Sequence, residues 1–99
     1  MLGHKWTVAF HTANPRPKAA LARFALRLGR LDVAAPLFEQ LRDVGYQPGG
    51  AHYALGRVAE LQGDLERARA EYKRALALEP TLEAARSDLQ RVSGTPRAR

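Results

Sequence analysis

Residues 49–82 restrict the possible folds of this chain more than any other stretch. Their apolar residues form two stripes of helical period, parted by Gly63-Asp64 and closed by Pro80. Ala51, Ala54, Leu55, Val58 and Leu61 share one face of a first helix. Leu65, Ala68, Tyr72, Ala75 and Leu76 share one face of a second. Gly63 suits a tight turn, and the Asp64 carboxylate can cap the free N–H groups that open the next helix. Two helices joined so closely run antiparallel and pack face to face.

The spacing within this pair is specific. It runs His52-x2-Leu55-Gly56-x2-Ala59, then Ala68-x3-Tyr72, then Pro80. This resembles the tetratricopeptide repeat, a 34-residue helix-turn-helix unit with the pattern W-x2-L-G-x2-Y, A-x3-F and P. His52 stands in place of the Trp and Ala59 in place of the Tyr, which weakens packing inside the repeat. Small residues at Gly56, Ala59, Ala68 and Ala75 stand where such repeats bring two helices close together.

A shift of 34 residues lays 15–48 onto 49–82. Leu21 meets Leu55, Ala25 meets Ala59, Gly29 meets Gly63, Ala34 meets Ala68, and Phe38 meets Tyr72. The first unit is therefore a degenerate copy, with Ala22 at the place of Gly56 and Tyr46 at that of Pro80. Its first helix starts at Asn14-Pro15, buries Leu21, Ala22, Ala25 and Leu28 with Phe24 alongside, and ends at Gly29. Its second carries Leu31, Ala34, Leu37, Phe38, Leu41 and Val44, and ends at Gly45. Pro36 is disruptive inside a helix. An N-cap at Asp32 would move it towards the first turn, so a late or bent start is predicted here.

Beyond Pro80, Thr81 can cap a fifth helix with Leu82, Ala85, Leu89 and Val92 on one side and polar residues on the other, as a terminal helix requires. The predicted architecture is all-α. It is a right-handed α-α superhelix of two tetratricopeptide-like repeats, 15–48 and 49–82, plus a capping helix at 83–93. An arm at 1–14 precedes it, either loose or laid over the first helix through Trp6 and Phe10, and a basic tail at 94–99 follows.

With 99 residues the chain has room for one domain with a small core. It has no cysteine, hence no disulfide or thiolate metal site. No apolar run approaches the roughly 20 residues that span a bilayer, and Met1–Phe10 lacks the features of a secretory signal. A cytoplasmic protein is expected. His4, His11 and His52 lack metal-ligand spacing. Gly-rich phosphate loops and nucleophile–base pairs are also missing, so neither cofactor nor enzymatic activity is expected.

Of the net charge of +6, +3 falls in residues 1–18 and +2 in residues 94–99, which leaves 19–93 nearly neutral. A high isoelectric point is thus weak support for nucleic-acid binding. The resemblance implies instead a protein-interaction module, in which the first helix of each repeat lines a concave groove. The groove candidates it implies are Arg16, Arg23, Tyr53, Arg57, Glu60 and Arg91. Arg23, Arg57 and Arg91 are spaced 34 and 34 apart. They form either a guanidinium ladder for an acidic or carboxylate-bearing peptide, or a set that pairs with neighbours such as Glu60 and Asp88. The open face of the first helix could also bind a second copy as a homodimer. The alternative is nucleic-acid or anionic-surface binding through Arg16, Lys18, Arg23, Arg27, Arg30 and the tail.

Overall fold

The structure, a computed structural model, describes residues 14–94. The expectations for Trp6, Phe10, His4, His11 and the basic tail lie outside them. Among the described residues the chain is all-α. Its helices are α1 (Pro15–Arg27), α2 (Leu31–Asp43), α3 (Pro48–Leu61), α4 (Leu65–Leu78) and α5 (Glu83–Gly94). Each packs chiefly on its neighbours in sequence, with α1 also touching α3. This is the helical-repeat arrangement expected from the 34-residue pattern.

The turns explain why the helices break where they do. Gly29, Gly45 and Gly63 all adopt positive φ, at 78°, 76° and 85°. At each, two backbone bonds close the helix end in a Schellman motif: Gly29 N–H to the Leu26 carbonyl and Arg30 N–H to that of Ala25, for example, at 3.0 and 2.8 Å. The same pair recurs 34 residues later, from Gly63 to Glu60 and from Asp64 to Ala59, at 3.0 and 2.9 Å. Asn14 Oδ1 accepts from Arg16 N–H at 3.0 Å and Asp64 Oδ1 from Arg67 N–H at 3.2 Å, so both expected caps form.

Two boundaries differ from expectation. Helix α2 starts at Leu31, because Val33 and Ala34 N–H both reach the Arg30 carbonyl, and Pro36 therefore sits inside the helix on its exposed side. At α5 the Leu82 carbonyl takes the first bonds, from Ala85 and Arg86, so Leu82 and not Thr81 occupies the capping position.

The core is built from small residues on α1 and larger ones deeper in the stack. Ala19, Ala22 and Ala25 face Ala34, Phe38 and Leu41 of α2 and Ala54, Leu55 and Val58 of α3. A second cluster joins Ala59, Ala68, Tyr72 and Val92, with Tyr53 and Leu89 against it. Leu21, Phe24 and Leu28 do not join the core as expected; they are 52%, 52% and 62% exposed. Leu28 is the C-cap residue of α1, at its exposed end, while for Leu21 and Phe24 the counterparts in the 34-residue register explain why. Leu55 and Val58 occupy the places of Leu21 and Phe24 and are buried, because α2 lies before α3 to cover them. No described helix precedes α1. Val44, Leu61 and Leu65, at the ends of their helices, are exposed as well.

Candidate functional site

A groove of about 690 Å³ runs between α1, the end of α2 and α3. Leu26, Phe38, Leu41 and Tyr46 contribute apolar and aromatic surface. Three guanidinium side chains line it, Arg23 and Arg27 from α1 and Arg57 from α3, and no carboxylate does. Arg23 and Arg27 share a face because they are four residues apart on one helix. Among the described residues neither has a side-chain hydrogen bond or ion pair, so both charges face solvent without a protein counter-ion.

Arg57 is held. Its Nη1 donates to the Tyr53 hydroxyl at 3.4 Å, and that hydroxyl donates to Asp88 Oδ2 on α5 at 2.8 Å. The Tyr53 hydroxyl lifts the Arg57 pKa above its ordinary value. The Tyr53 pKa also rises, first because the phenol is desolvated and then because it donates to Asp88.

Beyond Asp88 the polar chain continues away from the groove. Arg91 bonds Glu60 through both guanidinium Nη atoms, with Nη2 at 3.0 Å from Oε1, and Nη2 also reaches Asp88 Oδ1 at 3.1 Å. Tyr72, fully buried, donates its hydroxyl to Glu60 Oε1 at 2.8 Å and stacks in a tilted arrangement 5.6 Å from the Tyr53 ring. Arg91 and then the Tyr72 hydroxyl hold the Glu60 carboxyl below its usual range, against the opposing effect of desolvation. Glu60 and Asp88 in turn push the Arg91 pKa up.

Of the six groove candidates, the structure thus brings Arg23, Tyr53 and Arg57 together in one lining. Arg16 lies at the exposed start of α1, and Glu60 and Arg91 are tied to each other outside the groove lining. The ladder of three arginines resolves into two in the groove and one paired with Glu60 and Asp88. Arg27, Tyr46 and Gln47 line the groove but were not singled out for it in the sequence. For Arg27 the signal was there, four residues after Arg23 on the same face. Tyr46 and Gln47 come from the α2–α3 connection, where helical periodicity places nothing.

The other feature missed in the sequence is a pair inside α3 and α4. His52 Nδ1 lies 2.7 Å from Glu71 Oε1, with side chains only 12% and 8% exposed, and Arg67 Nε lies 3.9 Å from the second oxygen. His52 holds the place where the repeat pattern has Trp, so a polar contact replaces the aromatic one. Among the described residues no three His, Cys, Asp or Glu side chains are placed to hold a metal ion.

A family model described as Tetratricopeptide repeat matches residues 19–88, from the first turns of α1 into α5. The chain belongs to the tetratricopeptide repeat family. Comparison with curated proteins and with solved structures gave no match. Tetratricopeptide repeats are typically protein–protein interaction modules, and the groove lies on the α1 and α3 side, formed by the first helix of each pair. No helix among the described residues is long and apolar enough to cross a membrane.

Proposed function

We propose that this tetratricopeptide protein is a non-catalytic interaction module whose groove holds an acidic or carboxylate-bearing peptide segment. One observation carries the proposal: Arg23, Arg27 and Arg57 surround an apolar and aromatic floor with no carboxylate in the lining. Guanidinium forks bind carboxylates in bidentate fashion, and the floor offers a place for an apolar side chain between two acidic ones. Nucleic acid is less well served, because Arg23, Arg27 and Arg57 line a hollow with apolar surface and Arg30 is already paired with Asp32.

The test is fluorescence anisotropy with a fluorescein-labelled peptide, Gly-Ser-Asp-Glu-Leu-Asp-Glu-Leu, bearing a free carboxylate. Binding should weaken with salt, and Arg57→Glu or Arg23→Glu should lower affinity about tenfold or more. A counterpart with Lys at each acidic position should not bind. Absence of binding, equal binding of both peptides, or indifference to Arg57→Glu would each overturn the proposal. Salt-sensitive binding of a single-stranded oligonucleotide, unaffected by Arg57→Glu, would favour the basic-surface alternative.

A second reading, self-association, is favoured by the exposed Leu21 and Phe24 on α1. These residues hold register positions at which Leu55 and Val58 are covered by a neighbouring helix. A second copy can supply such a helix.

A further inference from the structure

We infer that Asp88, on the terminal helix α5 and outside the groove lining, is a positioning residue for the groove. It acts through the Tyr53 hydroxyl on the Arg57 guanidinium. The inference rests on the peptide-binding role proposed for the groove and names the part that α5 plays in it.

The geometry is a relay of three groups. A phenolic hydroxyl has one proton to donate and lone pairs to accept with. At Tyr53 the donation goes to Asp88 Oδ2 at 2.8 Å, which leaves the oxygen lone pairs turned to Arg57 Nη1 at 3.4 Å. The carboxylate therefore sets the direction of the O–H bond, and the O–H bond sets where the guanidinium finds its acceptor. Without Asp88 the hydroxyl would rotate freely and Arg57 would lose an oriented partner. A ligand would then have to order that long side chain itself, at an entropic cost that appears as weaker binding.

Asp88 is itself held. Arg91 bonds its Oδ1 at 3.1 Å while gripping Glu60 of α3, so the carboxylate is fixed by the two elements it joins. Asp88 is mostly buried, with a side chain 19% exposed, and Tyr53 and Leu89 pack on the core cluster that contains Val92. Helix α5 therefore does more than shield the end of the stack. Its Asp88 reaches the groove through one intervening side chain.

The experiment uses the full chain and two readouts. The first needs no ligand: the heteronuclear NOE of the Arg57 Nε–Hε group. Asp88→Ala should lower it, and Asp88→Asn, which keeps an oxygen acceptor for Tyr53, should restore most of it. An unchanged NOE in Asp88→Ala would overturn the inference whatever the peptide does. The second readout is affinity for the acidic peptide described above. Asp88→Ala should weaken it about three- to tenfold, the loss expected when a ligand must order one flexible side chain. In an Arg57→Ala background the same change should have no further effect.

Val92→Ala serves as the control, since it removes buried packing of α5 and leaves all three hydrogen-bonding groups of the relay in place. It should lower stability while the folded protein keeps its affinity. A loss equal to that of Asp88→Ala would mean that docking of α5, and not the carboxylate, governs the groove, and would overturn the inference. If Arg57→Glu leaves peptide binding intact while the NOE responds to Asp88→Ala, the peptide role fails and the positioning stands. The two failures are thus separable.

Discussion

At the level of single residues, Gly56 is the most tightly enclosed glycine among the described residues, with Tyr72 lying against it. A Cβ placed on Gly56 would lie 2.5 Å from Tyr72 Cε1 and 2.6 Å from Cδ1. The ring has little freedom to yield, because it is fully buried and its hydroxyl is bonded to Glu60. Gly to Ala in a helix usually adds about 1 kcal/mol of stability. Here the sign should reverse, and Gly56→Ala should destabilise the protein by about 1–3 kcal/mol, as overpacked cores do. Urea denaturation measures it, and a midpoint at or above that of the parent protein would show that the ring can move. That Gly56 stands where two helices come close was legible in the sequence from the repeat spacing, but its pairing with the Tyr72 ring was not. Nor was the His52–Glu71 pair. Its partners are 19 residues apart on different helices, and periodicity marks a buried face without saying which polar groups meet across it.

At the level of helices, the caps and stops were legible for a local reason: Asn14, Gly29, Gly45 and Asp64 act through hydrogen bonds to backbone groups within a few residues, and Pro80 cannot continue a helix because it has no N–H to donate. The start of α2 was misjudged because two local preferences compete there. Pro36 favours a start at Asp32, whereas the Schellman motif at Gly29 delivers Arg30 with its carbonyl already aimed at Val33 and Ala34 N–H. The motif wins, and α2 carries a proline six residues in, where the Asp32 carbonyl lacks its usual N–H partner. Both residues are on the exposed side, so water can reach the carbonyl and the helix survives. A proline in a helix interior still costs about 3 kcal/mol against alanine. Pro36→Ala should therefore raise stability by about 1–3 kcal/mol, seen as a melting temperature several degrees higher. A lower melting temperature would mean that the fixed φ of Pro36 is needed for α2 to meet α3.

At the level of the whole molecule, the sequence conveyed the stack and an open face on its first helix, but not which residues form that face. Leu21 and Phe24 look like core residues by type and by period, and their counterparts Leu55 and Val58 are core residues. Their difference in burial comes from position in the array, which no single helix encodes. The consequence can be measured by light scattering over a concentration series. If the α1 stripe joins two copies, the mass should rise towards twice that of the monomer, and Phe24→Glu should return it to one. Salt gives a second handle with the opposite sign from the groove. Helix α1 carries Arg16, Lys18, Arg23 and Arg27 and no acid, so two α1 faces repel each other until the charges are screened. Self-association should thus strengthen from low to moderate salt, while binding of an acidic peptide weakens. A monomer at every concentration and salt would refute self-association and leave the α1 stripe open to a different protein. A dimer unaffected by Phe24→Glu would move the contact to another face, since a charge at the centre of an apolar interface cannot be buried without a large penalty.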